Sequence, residues 1–336
     1  MQIKHFTIPV FIPELACPFR CIYCDQHKIS GTGNIPTTSD IKKIIDRNLS
    51  TISNLNTEIE IGFFGGSFTG IPTHQQQAYL EIAHAYIRQG LVKSIRLSTR
   101  PDYISSDILK LLLKYGVKTI ELGAQSLDDE VLILSKRGHT SDDVRKASQL
   151  IKSFGFELGL QMMIGLPGDT KEKSVETANK IVAFGADNTR IYPTIVIKGT
   201  YLEQLYNKGD YIALSMDESI DILKVIVPVF EKANVKIIRI GLHPSEDLQG
   251  SALVAGPYHV SLRELLETKL WKDAVSPYCI NLKNHQNINI FVAEGMYNFA
   301  IGYHAENKKM LEKYYKKVKF LLDTNLNKRD FYVHTY

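Results

Sequence analysis

Short apolar runs rich in β-branched residues alternate with longer segments of helical periodicity along the first two thirds of the chain. This alternation is typical of repeated βα units around a parallel sheet. Strands are predicted at the apolar runs, which are Thr7–Ile12, Glu58–Phe64, Ser94–Leu97, Lys118–Leu122, Glu157–Ile164, Arg190–Val196 and Lys236–Ile240. Helices are predicted at the periodic segments between them, which are Ser39–Ser53, Thr73–Gln89, Ser105–Tyr115, Ser141–Phe154, Lys171–Phe184 and Met216–Ala233. The fold class is therefore α/β, a partial or complete (β/α) barrel rather than a sandwich or a bundle.

Several of these helices begin with a hydroxyl side chain that can cap the first turn, namely Ser39, Ser105 and Ser141. We expect the barrel domain to occupy residues 1–245 and a small α+β extension to occupy residues 246–336. The strand-forming and helix-forming patterns continue into that extension, but without the regular βα repeat.

The segment from Lys308 to Lys319 carries six lysines among apolar residues at helical spacing. It is predicted as a basic terminal helix. One interpretation is an amphipathic docking helix with a solvated basic face. The other is contact with an RNA backbone, because basic residues interleaved with tyrosines fit that role. The sequence leaves both open.

The loops that follow the predicted strands differ from those that precede them. In a parallel barrel, catalytic groups lie on loops after the C-terminal ends of strands. Five such loops carry cysteines, glycine turns or polar residues, namely Cys17–Cys24, Gly65–Gly70, Ser98–Asp102, Gly123–Ser126 and Gly165–Asp169. The loops on the opposite side, such as those at Gly116 and Gly155, have the form of plain helix stops. The sequence therefore predicts a functional site at one rim of the barrel.

Three of the four cysteines, Cys17, Cys21 and Cys24, lie within eight residues at the spacing C-x3-C-x2-C. An odd number of clustered thiols suits metal ligation better than a disulfide framework. Thiolates at short spacings hold iron–sulfur clusters, usually four for a [4Fe–4S] cubane, so three would leave one iron open. The alternative is a zinc knuckle with His27 as fourth ligand. The fourth cysteine, Cys279, is expected to be a buried apolar residue.

This spacing, with Tyr23 just before the last cysteine, resembles the signature of radical S-adenosylmethionine (radical SAM) enzymes. The resemblance implies a [4Fe–4S] cluster held by Cys17, Cys21 and Cys24, whose open iron is chelated by the amino and carboxylate groups of SAM. It also implies reductive cleavage of SAM to methionine and a 5′-deoxyadenosyl radical.

The resemblance extends to the other rim loops. Gly65-Gly66-Ser67-Phe68 is similar to the glycine motif that binds the SAM amino group, although Ser67 stands where glutamate is usual. The resemblance implies that Glu121 and Gln125 hold the ribose and methionine ends of SAM, and that the turn at Gly165 borders the adenine.

Glu121 has another interpretation, and Arg100, Arg137 and His139 also fit structural roles. Alternation along the strand would place Glu121 on a solvated or helix-facing side, since a buried carboxylate is costly unless paired. Arg100 is suited to the SAM carboxylate, to Glu121 or to a structural network. Arg137 and His139 are interpreted as parts of a capped turn with a solvated arginine.

Taken together, these motifs are similar to the radical SAM domain of the Elongator catalytic-subunit family over roughly residues 1–245, and less closely to oxygen-independent coproporphyrinogen oxidases. The chain departs from the Elongator family in its short cysteine spacing and in the absence of a recognisable acetyltransferase domain. The resemblance implies a tRNA base as substrate and an external electron donor such as flavodoxin or ferredoxin. A small molecule such as a tetrapyrrole is an alternative substrate, and a non-catalytic zinc-binding RNA adaptor is an alternative class.

Substrate-contacting residues are less defined. His243 follows the seventh predicted strand, and Tyr258 and His259 lie in a segment punctuated by glycine and proline. These three are candidates for substrate contact or proton relay. They are equally well explained as turn residues satisfied by the backbone.

Composition narrows the class further. The 336 residues are 44% hydrophobic and 23% charged, which is typical of a globular protein. A formal net charge of +4 permits a polyanionic partner without requiring one. The sequence shows no secretory signal and no apolar run near the roughly 18 residues of a membrane span. Together with the clustered thiols, this predicts a reducing, cytoplasmic location without membrane contact.

Overall fold

The computed structural model describes residues 4–12, 21–25, 35–52, 57–279 and 287–336. The chain forms two compact units, Met1–Tyr258 and His259–Tyr336. The division thus falls after Tyr258, whereas the sequence placed it after residue 245. Cys17 and His27 lie outside the described residues.

The first unit is built on one parallel sheet. Its seven strands are β1 (Lys4–Ile12), β2 (Thr57–Gly65), β3 (Ser94–Thr99), β4 (Val117–Gln125), β5 (Glu157–Ile164), β6 (Asn188–Pro193) and β8 (Lys236–Ile240). They follow the order β1-β2-β3-β4-β5-β6-β8, and every neighbouring pair is parallel. Within the described residues β1 and β8 do not pair, so the barrel is partial rather than complete. The predicted fold class is confirmed.

Helices connect these strands. They are α1 (Thr38–Thr51), α2 (Thr73–Arg88), α3 (Ser106–Lys114), α4 (Asp129–Leu134), α5 (Ser141–Ser153), α6 (Lys171–Ala183), α7 (Tyr201–Lys208), α8 (Met216–Lys232) and the short α9 (Glu246–Gln249). Ser105 caps α3 as predicted. The caps of α1 and α5 are Thr37 and Thr140 instead of Ser39 and Ser141, because an aspartate three residues later completes a capping box in each case.

The two faces of the sheet differ in polarity. Ile8, Ile61, Ile95 and Ile120 are fully buried and alternate along their strands with residues of the opposite face. That opposite face is the barrel interior, and it contains buried charged side chains. Apolar packing against the helices therefore holds the sheet, while the interior is free to carry polar groups.

The predicted strand Arg190–Val196 is two strands. β6 ends at Pro193, and β7 (Val196–Ile197) pairs antiparallel with β9 (Leu253–Ala255). Proline cannot donate a ladder hydrogen bond, so the chain leaves the main sheet there.

The second unit combines helices with a small sheet. Its elements are α10 (Leu262–Val275), β10 (Asn287–Val292), α11 (Tyr297–Ile301), α12 (Glu306–Leu311), β11 (Lys317–Leu322) and β12 (Phe331–Thr335). The strand order is β11-β10-β12, with β10 parallel to β11 and antiparallel to β12. Trp271 lies in its buried core, against which Cys279 packs as an apolar residue, although this cysteine is partly rather than fully buried.

The prediction of a basic helix over residues 308–319 is wrong in its second half. α12 ends at Leu311, and β11 begins at Lys317. In β11, buried Val318 and Phe320 alternate with exposed Lys317 and Lys319, so the period is two. Separately, no helix in the described ranges is both long and apolar enough to cross a bilayer.

Candidate active site

A cavity of about 440 Å³ opens at the C-terminal ends of the parallel strands in the first unit. Each of the seven strands contributes a lining residue near its final position, namely Phe11, Gly65, Ser98, Gln125, Met163, Tyr192 and Arg239. The rim that the sequence singled out therefore surrounds a space large enough for a ligand.

Two of the three clustered cysteines lie at this cavity. Cys24 lines it, and Cys21 is buried in an apolar cluster against which Cys24 and Met163 pack. The turn that carries them is anchored at both sides, because Ile22 donates its N–H to the carbonyl of Ser135 (3.4 Å) and accepts from the N–H of Leu202 (2.8 Å). The two thiols are thus held by the fold itself.

Arg137 is buried against Cys21, so its interpretation as a solvated arginine is wrong. Its Nη1 donates to the Sγ of Cys21 (3.0 Å) and to the hydroxyl of Tyr23 (3.3 Å), and its Nη2 donates to the carbonyl of Gly123 (2.8 Å). Arg137 therefore places a buried positive charge and a hydrogen-bond donor beside a cysteine of the clustered motif. No sequence signal marks this contact, since 116 residues separate the partners.

The glycine loop brings backbone to the cavity. Gly65 has φ of 103°, and a Cβ there would lie 3.0 Å from the carbonyl oxygen of Ile12. The N–H of Gly66 donates to that same oxygen (2.8 Å). Ser67 is buried at the start of the 3-10 turn Phe68–Gly70. A side chain at position 65 would therefore be strained, and the loop presents peptide groups instead.

Glu121 faces the barrel interior and is completely buried. Its Oε1 accepts from Arg96 (2.6 Å) and Arg190 (3.0 Å), and its Oε2 accepts from Arg190 (2.6 Å) and Gln161 (2.8 Å). Although burial raises the pKa of Glu121, Arg190 and Arg96 hold that pKa below its usual range. The alternative interpretation, a solvated or helix-facing carboxylate, is therefore wrong.

The carboxylate reaches the cavity only through its neighbours. Gln161 and Arg190 line the cavity, whereas Glu121 does not. The guanidinium of Arg190 also lies over the ring of Phe64, 5.2 Å from its centroid. A direct contact between Glu121 and SAM stays a prediction.

Arg100 does not pair with Glu121. Its Nε and Nη2 each donate to the carboxylate of Asp102 at 2.9 Å, forming a bidentate pair. Arg100 itself is buried. Asp102 thus pairs with the guanidinium of Arg100, which the sequence analysis had matched with the SAM carboxylate or with Glu121.

Gln125 occupies a left-handed conformation, with φ of 65°, and lines the cavity. Its buried Oε1 accepts no hydrogen bond within the described part of the chain. A strained non-glycine residue with an unsatisfied polar atom is typical of a site that awaits a ligand.

The turn at Gly165 is held by hydrogen bonds. Its N–H donates to Asp169 (2.8 Å), and its carbonyl accepts from the hydroxyl of Tyr211 (2.7 Å). The side chain of Met163, two residues earlier, lines the cavity. Contact of Gly165 with an adenine stays a prediction.

Of the three candidate substrate residues, His243 lines the cavity and is exposed. Tyr258 packs against an apolar cluster around Ile195 and Leu248. His259 belongs to the second unit, where its ring contacts Tyr303 edge-on at 5.9 Å. The cavity therefore supports His243 more than Tyr258.

Sequence reasoning did not single out Arg190, Tyr192 and Arg239, all of which line the cavity. Arg190 and Tyr192 are two residues apart on β6 and share its inward face. A polar pair at period two in an otherwise apolar strand is the signal that would have indicated them.

The radical SAM superfamily profile matches residues 12–181, and the Radical SAM C-terminal domain profile matches residues 186–272. The chain therefore belongs to the radical SAM superfamily and is an enzyme of that class.

Its relatives include the tRNA uridine(34) acetyltransferase of Methanocaldococcus infernus, 26% identical over 316 residues, covering 82% of this chain and 58% of that protein. Elongator complex protein 3 of Saccharomyces cerevisiae is 28% identical over 228 residues, covering 62% and 40%. The chain thus spans about half the length of the curated relatives it matches.

Solved structures agree on the fold. The structure of Methanocaldococcus infernus Elp3 with an N-terminal deletion has a TM-score of 0.65 at 24% identity, covering 81% of this chain and 64% of that one. Coproporphyrinogen III oxidase (HemN) of Escherichia coli has a TM-score of 0.50 at 16% identity, covering 79% and 58%. The resemblance to the Elongator family seen in the motifs is confirmed.

Proposed function

We propose that this enzyme binds a [4Fe–4S] cluster and SAM at the rim of its partial barrel and uses them to modify a tRNA base. The observation that carries the proposal is the convergence of Cys24, Gly65 and Gln125 around one cavity, with Cys21 in the apolar cluster against which Cys24 packs. The names of the tRNA uridine(34) acetyltransferases and of Elongator complex protein 3 support the choice of tRNA.

The residues present fit the cluster. Thiolates suit iron–sulfur clusters, and Cys21 already accepts a hydrogen bond from a buried guanidinium. Within the described ranges no third histidine, cysteine, aspartate or glutamate joins Cys21 and Cys24 to complete a metal site. Cys17, by its spacing, would be the third ligand, leaving one iron coordination position for SAM.

The chain's own part is to bind and orient. When bound, the cluster and SAM would supply a 5′-deoxyadenosyl radical through reductive cleavage of SAM. The residues proposed to position SAM are Gly65, Gly66, Ser67, Arg100, Glu121, Gln125 and Gly165. Of these, Gly65 offers unobstructed backbone, Gln125 an unsatisfied amide oxygen, and Glu121 orients Arg190 towards the cavity. The apolar walls at Phe11 and Met163 would exclude water from the reacting atoms.

Anaerobic reconstitution tests the class of chemistry. The wild-type chain is expected to bind iron and sulfide, turn brown and convert SAM to 5′-deoxyadenosine when reduced by dithionite. Cys21→Ala should lose both the colour and the cleavage. Cys279→Ala is the matched control, because this thiol packs in the second unit, and it should retain both. Stoichiometric zinc with no SAM cleavage would overturn the assignment.

The substrate is tested separately. Incubation of the reconstituted enzyme with SAM, a reductant such as flavodoxin and bulk tRNA should produce a modified or hydrogen-abstracted nucleoside, detected by mass spectrometry of digested tRNA. Deuterium transfer from deuterated tRNA to 5′-deoxyadenosine gives a second readout. SAM cleavage that neither responds to tRNA nor acquires its deuterium would contradict tRNA as the substrate.

A further inference from the structure

The small sheet of the second unit has one buried face and one exposed face. Ile288, Ile290 and Val292 of β10, with Val318 and Phe320 of β11, pack into the core. Because strand residues alternate between faces, the remaining positions form the opposite side. We name this side the open face, and its members are Asn287, Asn289, Phe291, Lys317, Lys319, Leu321, Tyr332, His334 and Tyr336.

The strand register arranges the open face in three rows. Lys317, Asn287 and Tyr336 form the first row, in which Asn287 and Tyr336 exchange backbone hydrogen bonds of 2.9 and 3.1 Å. The second row is Lys319, Asn289 and His334, and the third is Leu321, Phe291 and Tyr332. Cations therefore line one edge of the face, amides and Phe291 lie in the middle, and rings line the other edge.

The rings are already ordered. Phe291 and Tyr332 stack with centroids 4.5 Å apart and planes 10° from parallel, and His334 packs 5.5 Å from each of them. The hydroxyl of Tyr332 donates to Asp323 (3.0 Å), which fixes the ring. Yet Tyr332 is 38% exposed and Tyr336 56% exposed. Ordered rings at the surface offer stacking area at little further entropic cost.

The charge of the second unit favours an anionic partner. Residues 259–336 contain twelve lysines and arginines against eight aspartates and glutamates, an excess of four that equals the formal net charge of the whole chain. The open face itself carries two lysines, while the carboxylate of Asp323 contacts it at the hydroxyl of Tyr332. Lysine is depleted in protein–protein interfaces, so the two lysines of the open face favour a polyanion over another protein.

We propose that the open face binds single-stranded RNA. Lys317 and Lys319 would contact phosphates, and Tyr332 would extend its stack with an unpaired base. Asn287 and Asn289 would reach base edges between them. The inference deepens the proposed function, on which it rests, by giving the tRNA an attachment through a loop rather than through its double-stranded stems.

Binding of a fluorescent single-stranded oligonucleotide to the full chain tests this directly, with no SAM added. The double variant Lys317→Gln/Lys319→Gln should bind about tenfold more weakly at low salt. Its salt dependence should be shallower by about 0.7 in logarithmic slope for each phosphate that is no longer neutralised. The matched control is Lys309→Gln/Lys313→Gln, which removes the same charge from exposed positions outside the sheet. The control should bind like the wild type.

Variants of Tyr332 distinguish the contribution of stacking to RNA binding from that of charge. Tyr332→Ala should also weaken binding about tenfold, whereas Tyr332→Phe, which keeps the ring and removes only the hydroxyl, should bind like the wild type. Circular dichroism checks that the variants are folded. If Tyr332→Ala does not fold, the double variant Lys317→Gln/Lys319→Gln still tests the inference. A base-paired duplex of the same sequence should bind more weakly than the single strand.

Several results would overturn the inference. These are no RNA binding at low ionic strength, equal losses in the face and control variants, or a dimer that the face variants dissociate while their RNA affinity stays unchanged. The RNA-binding assay is run without the cluster, and the SAM-cleavage assay is run without RNA. Failure of this inference is therefore distinguishable from failure of the proposed function.

Discussion

Two layers of the same barrel interior treat buried polar groups in opposite ways. The lower layer, here called the floor, consists of Glu60, Arg96, Glu121, Gln161 and Arg190. Arg96 donates to both Glu60 and Glu121, and each oxygen of Glu121 accepts two hydrogen bonds. The floor is thus a closed network of alternating charge.

The upper layer, here called the rim, consists of Cys21, Gly65, Gln125 and Arg137. The Oε1 of Gln125 and the Nε of Arg137 are buried without a hydrogen-bond partner in the described part of the chain. Gln125 also carries backbone strain. A saturated network holds shape, whereas unsatisfied atoms beside a cavity mark the place where a ligand completes the structure. The presence of buried charge alone does not distinguish the rim from the floor, since both layers contain a buried arginine.

The largest effect is expected in the floor. Glu121→Ala leaves Arg96 and Arg190 buried without their carboxylate, which should lower the free energy of unfolding by about 3–5 kcal/mol. Denaturant unfolding of the purified variant measures this. Glu157→Gln on the neighbouring strand is the control, because its pair with Lys118 is exposed and should contribute no more than about 1 kcal/mol. If Glu121→Ala lowers the free energy of unfolding by no more than the control does, the floor is not a closed network.

A second effect concerns pH and His139. Burial first, then Arg137 and Arg100, lower the pKa of His139 to about 3, while its contact with the carbonyl of Ala124 and the charge of Asp102 oppose that shift. The unfolded chain, with an ordinary pKa near 6.5, takes up this proton first. Stability should therefore fall as pH drops below about 6.5, by about 2 kcal/mol at pH 5.

His139→Gln, which cannot take up this proton, should flatten that dependence between pH 6.5 and 5. Equilibrium unfolding of both proteins across this range gives the comparison. Identical slopes for the variant and the wild type would show that His139 is accessible to protons in the folded state.

The smallest effect tests the rim itself. If the proposed cluster is bound, the positive charge of Arg137 beside Cys21 would stabilise its reduced form, since charge and hydrogen bonds to sulfur set such potentials. Arg137→Gln should make reduction about tenfold less favourable, equivalent to about 59 mV for one electron. A potentiometric titration followed by electron paramagnetic resonance measures the shift.

Arg137→Lys, which keeps the charge, should shift the potential less than Arg137→Gln. Arg145→Gln on exposed α5 is the control and should leave the potential unchanged. Equal reduction potentials in the wild type and Arg137→Gln would show that Arg137 acts only through packing. The rim and the floor would then not differ in their electrostatic role.

Much of the first unit was predictable from local pattern. Apolar runs such as Glu157–Ile164 and periodic segments such as Lys171–Phe184 define βα units, and strand direction then places Cys24, Gly65 and Gln125 at one rim. These features depend on short stretches of sequence and on chain order, so they can be predicted without knowledge of distant contacts.

The structure alone decided the partners. Whether Glu121 meets solvent, SAM or two arginines depends on the register of three neighbouring strands, which no local pattern contains. Arg137 reaches Cys21 across 116 residues of sequence. The run after Lys308 fits both helical and strand periods over its short length, and packing of Val318 and Phe320 around Trp271 selected the strand. Local periodicity specifies elements, whereas pairing of charges and the choice between two short periods are settled by tertiary burial.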